Sequence, residues 1–270
     1  QVQKQTQEEV LKLVKRYVEK TGIKNVCITG GYGLNVVCNS YLVKNLPNVN
    51  FYFEPLADDS GNSIGSAIYL WKQLTKNTDV SKLTHTFFNH KKDNKKVQGT
   101  NVSVGEIAKL LSNRKIVAVY NGISEAGPRA LGNRSILYDA RDENAKDVVN
   151  KVKHREWYRP FAASVLKEHA HSYFDMMNLT ECPFMTNSFD VISNNIPGVV
   201  HVDNSSRVQT VDNSIPHFYE LLNEFNVLTG VPVLLNTSFN IAGEPLVETI
   251  DDAIKTFNNS QIDVLWFPEK

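Results

Sequence analysis

The sequence predicts an α/β protein. Three observations carry this. Residues 22–75 alternate strand, glycine turn, helix, strand, turn and helix. Two apolar runs of the second half, "KIVAVYNG" and "VPVLLNTSFN", are each flanked by a stretch of helical period. The chain is 41% hydrophobic and 21% charged, the balance of a globular protein able to bury a sizeable core over 270 residues.

The elements follow in chain order. Residues 7–20 place Val10, Leu11, Leu13, Val14, Tyr17 and Val18 on one helical face, with Gly22 as the C-cap. "NVCITGG" reads as a short buried strand running into a glycine turn. "LNVVCNSYLVKNL" resumes a helix and stops near Pro47, "VNFYFEPL" is a second strand, and "DDSGNSIGSAIYLWKQL" is a turn into a helix. The polar stretch "NHKKDNKKVQGTN", residues 89–101, has no apolar period and reads as a solvated linker. It divides the chain into residues 1–92 and 93–270. After it come the helix "SVGEIAKLLSNR", the strand "KIVAVYNG", the motif "GPRALGNRS", the stretch "VVNKVKHREWYRPFAASVL" and then a long irregular section through residue 200. "RVQTV" is a strand, "IPHFYELLNEFNVLTG" a helix stopped by Gly230, and "VPVLLNTSFN" a strand that ends polar. The helix around "IDDAIKTFNN" and the strand "DVLWF" complete the chain.

Bulk properties exclude several classes. The formal net charge is zero, so no overall field favours nucleic acid or an anionic membrane. No run of eighteen apolar residues predicts a span. The N-terminal stretch lacks the pattern of a signal peptide, and it begins without Met, as a processed or truncated piece does. Cys27, Cys38 and Cys182 are widely spaced, which argues against a disulfide framework or structural zinc and for the cytoplasm.

Arginine usage points to the chemistry. Six of the eight arginines, Arg129, Arg134, Arg141, Arg155, Arg159 and Arg207, lie between positions 129 and 207, while lysine dominates elsewhere. A planar fork is suited to bidentate contact with phosphate or carboxylate, whereas solvated surface accepts lysine. The competing account is ion pairing with Glu125, Asp139, Asp142 and Glu156. "GPRALGNRS", residues 127–135, surrounds Arg129 and Arg134 with Gly127, Pro128 and Gly132, residues that let backbone amides approach an anion, and offers the Ser135 hydroxyl. "KHREWYRPF" gathers Lys153, Arg155 and Arg159, with Trp157, Tyr158 and Phe161 as pocket walls or core. "LLNTSFN" presents Asn236, Thr237, Ser238 and Asn240 at a strand end, lining a crevice or forming a turn. "TGGYGLN" has glycines after a strand but fits no nucleotide-loop pattern. In "DDSGNSIG", spacing favours Asp58 as a helix cap over Asp59 as a metal ligand.

Taken in order, "GGYGLN", "PLADDSGNSIGSA", "GISEAGPRALGNRSIL", "KHREWYRPFAASV", "VVHVDNSSRVQTV", "GVPVLLNTSFNIAGEPLVET" and "DAIKTF" resemble the O-carbamoyltransferases of the nodulation, cephalosporin and tobramycin type, from about residue 22 to the end. The resemblance implies the second lobe of an actin-like ATPase fold over residues 1–92 and a mixed-sheet domain similar to threonylcarbamoyl-AMP synthases over 93–270. It implies use of carbamoyl phosphate and ATP to make carbamoyl-adenylate, followed by carbamoyl transfer to a hydroxyl-bearing acceptor and release of AMP. In the matching positions Arg129, Arg134, Lys153, Arg159, Arg207, Ser238 and Asn240 hold carbamoyl phosphate and the adenylate, with Asn236 beside them. Gly30, Gly31 and Asn35 lie by the nucleotide, and Asp59 ligates a divalent metal, Fe or Mg, against the preference from spacing.

The family's first lobe, with its paired histidines, has no counterpart in these residues, so a further lobe on the same or another chain is an expected partner. The acceptor is a small molecule, a sugar or a modified nucleobase, and nucleic acid is a partner only in the last case. No membrane partner is expected. The alternative function is a non-catalytic nucleotide- or nucleic-acid-binding subunit of the same fold, against which the neutral charge and the clustering of cations both argue.

Overall fold

A computed structural model describes residues 1–79, 82–89, 93 and 95–268. The expected boundary at 92/93 falls where residues 90–92 and 94, His90 among them, lie outside the described residues.

The N-terminal part is built from α1 (Val2–Thr21), β1 (Asn25–Ile28), α2 (Val36–Asn45), β2 (Asn50–Phe53) and α3 (Ser60–Thr75). Gly22 ends α1 in the left-handed region at φ 71°. β1 and β2 pair in parallel as a two-stranded sheet. One face of it packs Val26, Ile28, Phe51 and Phe53 against Val14 of α1 and Leu42 and Val43 of α2. β1 is therefore not the fully buried strand expected. Its residues alternate exposed and half-buried because only one face is covered. α3 buries none of its residues and leaves Ile68, Tyr69, Leu70 and Trp71 in the open.

The C-terminal part contains α4 (Val104–Ser112), β3 (Val117–Tyr120), β4 (Arg134–Asp139), α5 (Ala145–Val152), β5 (Ala162–Leu166), α6 (Ala170–Tyr173), β6 (Ser188–Asp190), β7 (Ser205–Val211), α7 (Pro216–Thr229), β8 (Val233–Ser238), α8 (Ile250–Asn258) and β9 (Val264–Trp266). The seven strands form one sheet in the order β6-β7-β5-β8-β4-β3-β9, with β5–β7 and β3–β9 parallel and the other neighbours antiparallel. The expected α/β class is thus a mixed sheet between helices. Along β3, Val117 and Val119 face α4 and α7, while Ala118 and Tyr120 face the side of α5 and α8. Both faces are covered, so β4 and β5 are buried at every position. α4 begins with a reciprocal capping box between Ser103 and Glu106, and α8 with one between Thr249 and Asp252.

The section expected to be irregular, from the end of "FAASVL" through residue 200, holds the short α6 and β6, while β4 and β5 fall in the motif stretches before it, to which the pattern assigns no element. Strands covered on both sides show no alternation of polar and apolar residues, and β4 and β5 each mix buried serine with aliphatic residues. Among the described residues no helix is long and apolar enough to cross a membrane.

Candidate active site

The site grows out of one loop and one level of the sheet. Residues 121–133 lead from β3 to β4, and their path is fixed from inside. The buried Glu125 carboxylate accepts, through Oε1, the backbone N–H groups of Leu131 (2.7 Å), Asn133 (2.9 Å) and Arg134 (3.2 Å). The anion gathered by these amides is the chain's own Glu125. Gly132, at φ 122°, has Phe218 where a Cβ would lie, 2.6 Å from the nearest ring atom, so only glycine fits. Its N–H donates to Ser135 Oγ at 3.0 Å, which gives that hydroxyl a place in the loop.

Arg134 is the main departure from expectation. It is completely buried and spends its guanidinium on backbone carbonyls. Nε donates to Val247 O, one terminal nitrogen to Asn121 O and Asn133 O, and the other to Gly122 O and Glu248 O. Its carbon lies 3.7 Å from the centre of the Tyr120 ring. With these bonds made, Arg134 joins the loop, β3 and the chain after β8 rather than facing a cavity.

Arg129 does face one. Register puts Arg207 of β7 and Asn236 of β8 on either side of Ala162 of β5. The small Ala162 leaves room between them, and a cavity of about 290 Å³ opens there, lined by Arg129, Arg155, Arg159, Arg207, Asn236 and Ser238 with their neighbours. Two buried polar atoms have no hydrogen-bond partner among the described residues at this place, Arg207 Nε and Asn236 Oδ1. Asn236 Nδ2 is held by Ser164 Oγ, Gln209 Oε1 and Ala130 O, which fixes the orientation of the amide. Burial together with the cations Arg129 and Arg155 pushes Arg207 down to about 9. Such a cluster of charges is stabilised by an anion.

A second cavity of about 520 Å³ adjoins the first and shares Arg155, Arg159 and Ser238 with it. Lys153, Asn240 and the turn Ile241–Glu244 also line it. Lys153 follows α5 and is almost wholly buried. Its Nζ donates to Ser238 O (2.5 Å), Ser238 Oγ (3.1 Å) and Asn240 Oδ1 (2.9 Å), so the polar end of β8 is organised around the ammonium. Arg155 Nε is fixed by Asn150 Oδ1 at 2.7 Å, and its guanidinium lies over Phe161. Burial and Arg159 push Arg155 down to about 10. Arg159 pairs with Glu156 at 2.7 Å on the exposed rim.

The structure therefore brings Arg129, Lys153, Arg159, Arg207, Asn236, Ser238 and Asn240 together. Arg155, gathered with Lys153 and Arg159 in "KHREWYRPF", lines both cavities, and the Ile241–Glu244 turn, inside the block "GVPVLLNTSFNIAGEPLVET", lines the larger one. The competing account of ion pairing holds for two of the arginines, Arg141 with Asp139 at 2.6 Å away from the cavities and Arg159 with Glu156 at 2.7 Å on their rim. Phe161 is core, while Trp157 and Tyr158 are exposed. Gly30 and Gly31 are open glycines after β1, and neither lines these cavities. Asn35 caps α2 by accepting from Cys38 N, and its side chain exchanges hydrogen bonds with Gln3. Asp58 accepts from Ser60 N, but the N-cap position of α3 is taken by Asp59, which makes no side-chain capping bond, so Asp58 is not the cap that spacing favours. The described residues contain no group of three or more His, Cys, Asp or Glu able to hold a metal, so Asp59, beside Asp58, is not part of such a group.

Burial beside Arg155 pushes Lys153 down to about 7. An anion in the cavity favours its charged form and raises that value, so binding takes up a proton above neutrality. Sulfate, which keeps its charge between about pH 6 and pH 9, is expected to bind best below neutral pH. Its affinity should fall by at most about tenfold per pH unit above it. Calorimetry in buffers of different ionisation enthalpy reads the proton uptake, and Lys153→Met is expected to flatten the profile.

Residues 1–68 match the family model of the carbamoyltransferase N-terminus, and residues 108–270 that of the carbamoyltransferase C-terminus. The chain is 34% identical to nodulation protein NolNO of Sinorhizobium fredii over 95% of this chain and 41% of that protein. It is 32% identical to nodulation protein NolO of Bradyrhizobium diazoefficiens over 95% and 50%, and 35% identical to nodulation protein U of Rhizobium tropici over 91% and 43%. The chain thus spans half or less of the length of these relatives. Among solved structures, full-length HypF in its phosphate- and nucleotide-bound form gives a TM-score of 0.46 at 20% identity, covering 61% of this chain and 20% of that one. Sua5 of P. abyssi complexed with L-threonine gives 0.43 at 15% identity, covering 60% and 45%.

Proposed function

The chain belongs to the carbamoyltransferase family, and from that premise we propose that its paired cavities bind carbamoyl phosphate beside ATP and form carbamoyl-adenylate. Water releases carbamate and phosphate from carbamoyl phosphate. A carbamate oxygen then attacks the α-phosphorus of ATP, and the bond to pyrophosphate breaks. The carbamoyl group afterwards passes to an acceptor hydroxyl, with AMP as the leaving group. The observation that carries this reading is the convergence of Arg129, Arg155 and Arg207 on one cavity that opens onto the Lys153–Ser238–Asn240 cluster.

The side chains suit the steps. Arg207 Nε and the forks of Arg129 and Arg155 offer donors to a small phosphorylated molecule. Asn236 Oδ1 is an acceptor fixed among these donors, suited to the carbamoyl N–H group. Lys153, held in place by Ser238 and Asn240, stabilises charge on the departing pyrophosphate in the larger cavity. Both intermediates decompose in water, so a closed route from the cavities to the acceptor suits the reaction.

In this reading residues 1–92 are the second lobe of an actin-like transfer domain, residues 93–270 form the adenylate-making domain, and the protein works in the cytoplasm. Asp59 and a divalent metal, like Gly30, Gly31 and Asn35 near a nucleotide, belong to the transfer half. A further lobe completes that half, and the acceptor is a small molecule, a sugar or a modified base. Purified chain given carbamoyl phosphate and ATP is expected to exchange labelled pyrophosphate into ATP. Folded protein that catalyses no exchange at saturating substrates would refute the adenylate step.

A further inference from the structure

The loop after β1 and the wall of the smaller cavity share two ties. Arg129, which lines that cavity, also donates from a terminal nitrogen to Leu34 O at 3.2 Å. Asn39 of α2 is buried and donates through Nδ2 to both Gly33 O and Thr186 O, each at 2.8 Å. Leu34 O is therefore held by a residue of the cavity wall, and Gly33 O by Asn39, whose other bond reaches Thr186 beside that wall. Met185 precedes Thr186 and lines the cavity. It is a buried non-glycine residue at φ 55°, a strained conformation that persists only where its surroundings impose it. Gly127, at φ 85°, closes the same seam, because a Cβ there would sit 2.7 Å from Leu56 Cδ2.

We propose that Asn39 is a positioning residue that links occupancy of the anion cavity to the conformation of the Gly30–Leu34 loop. This rests on the reading of that cavity as the carbamoyl phosphate site. Asn39 pins Gly33 O to Thr186 O and so presents Leu34 O to Arg129. An anion that immobilises the Arg129 fork and the Met185 wall then steadies the loop. By linkage, a molecule that orders the loop tightens anion binding equally. One donor group bonded to two carbonyls of different segments has little freedom to rearrange, which makes it an efficient coupler.

Hydrogen exchange on the intact chain tests this, read at the amides of Gly33 and Asn35. Both are bonded inside the loop, to Gly30 O at 2.7 Å and Tyr32 O at 3.0 Å, so their exchange reports its opening. Saturating carbamoyl phosphate is expected to slow both by about threefold or more in the wild type. Asn39→Ala and Asn39→Asp, which both lose the donor, are expected to abolish that slowing while carbamoyl phosphate affinity stays within about threefold. Equal slowing in either folded variant overturns the role of Asn39. Bound ligand with unchanged loop exchange in the wild type overturns the coupling, even should both variants fail to fold. Failure of carbamoyl phosphate to bind at all overturns the reading of the cavity and the coupling with it.

Discussion

Replacing Lys153 by alanine is expected to lower carbamoyl-phosphate-dependent pyrophosphate exchange by about 10²–10³-fold and leave the protein folded. The two halves of this expectation have one cause. Lys153 is a buried cation that meets three oxygens of Ser238 and Asn240 at the junction of the two cavities. For catalysis, its loss removes the fixed positive charge nearest the polar end of β8, and water is a poor substitute for an oriented ammonium. For stability, burying an ammonium is costly, as the depression of Lys153 to about 7 reflects. The oxygens left behind face a cavity large enough for water to satisfy them. Thermal unfolding should therefore show a midpoint equal to the wild type or higher, and exchange kinetics the loss. Lys153→Arg is expected not to restore activity, because a planar fork cannot occupy the slot shaped for a compact ammonium. Exchange at the wild-type rate in Lys153→Ala would contradict the site assignment.

Arg134→Ala should have the opposite signature. Arg134 satisfies five backbone carbonyls from Asn121, Gly122, Asn133, Val247 and Glu248, and no lysine can make those bonds. Each buried acceptor left without a donor costs about 1–3 kcal/mol. The sum places the variant beyond about 4 kcal/mol, in the range that removes most of the stability of an ordinary domain. Urea unfolding is the measurement, with soluble yield as the first sign. Arg129→Ala is the control. Arg129 spends one hydrogen bond on Leu34 O and otherwise faces the cavity, so its loss should weaken anion binding with little change in the unfolding midpoint. A folded Arg134→Ala that has lost only ligand affinity would overturn the structural role assigned to this arginine.

The contrast between these arginines shows where sequence reasoning stops. Arg129 and Arg134 lie five residues apart in one motif, and residue type and spacing treat them alike. The carbonyls that capture Arg134 include two more than a hundred residues away. Glu125 is a similar case. Among the arginines it reads as an ion-pair partner, yet its Oε1 collects three amides of the loop that follows it. Fold legibility divides in the same way. α1, α7 and α8 announce themselves by apolar period and by glycine or capping residues at their ends. β4 and β5 do not, since burial on both faces removes the alternation that marks a strand.

The sequence alone determined the α/β class, most helices with their stops, and the concentration of arginine that points to a candidate anion site. These depend on neighbours within a few residues or on composition, both present in the linear order. Which cations face the cavity, which one braces the backbone, and that the loop after β1 is tied to the cavity wall by Asn39 were decided only in three dimensions. Those outcomes depend on strand register and on carbonyls brought from distant segments, and a side chain's donors go to whichever acceptors folding places within about 3 Å of them.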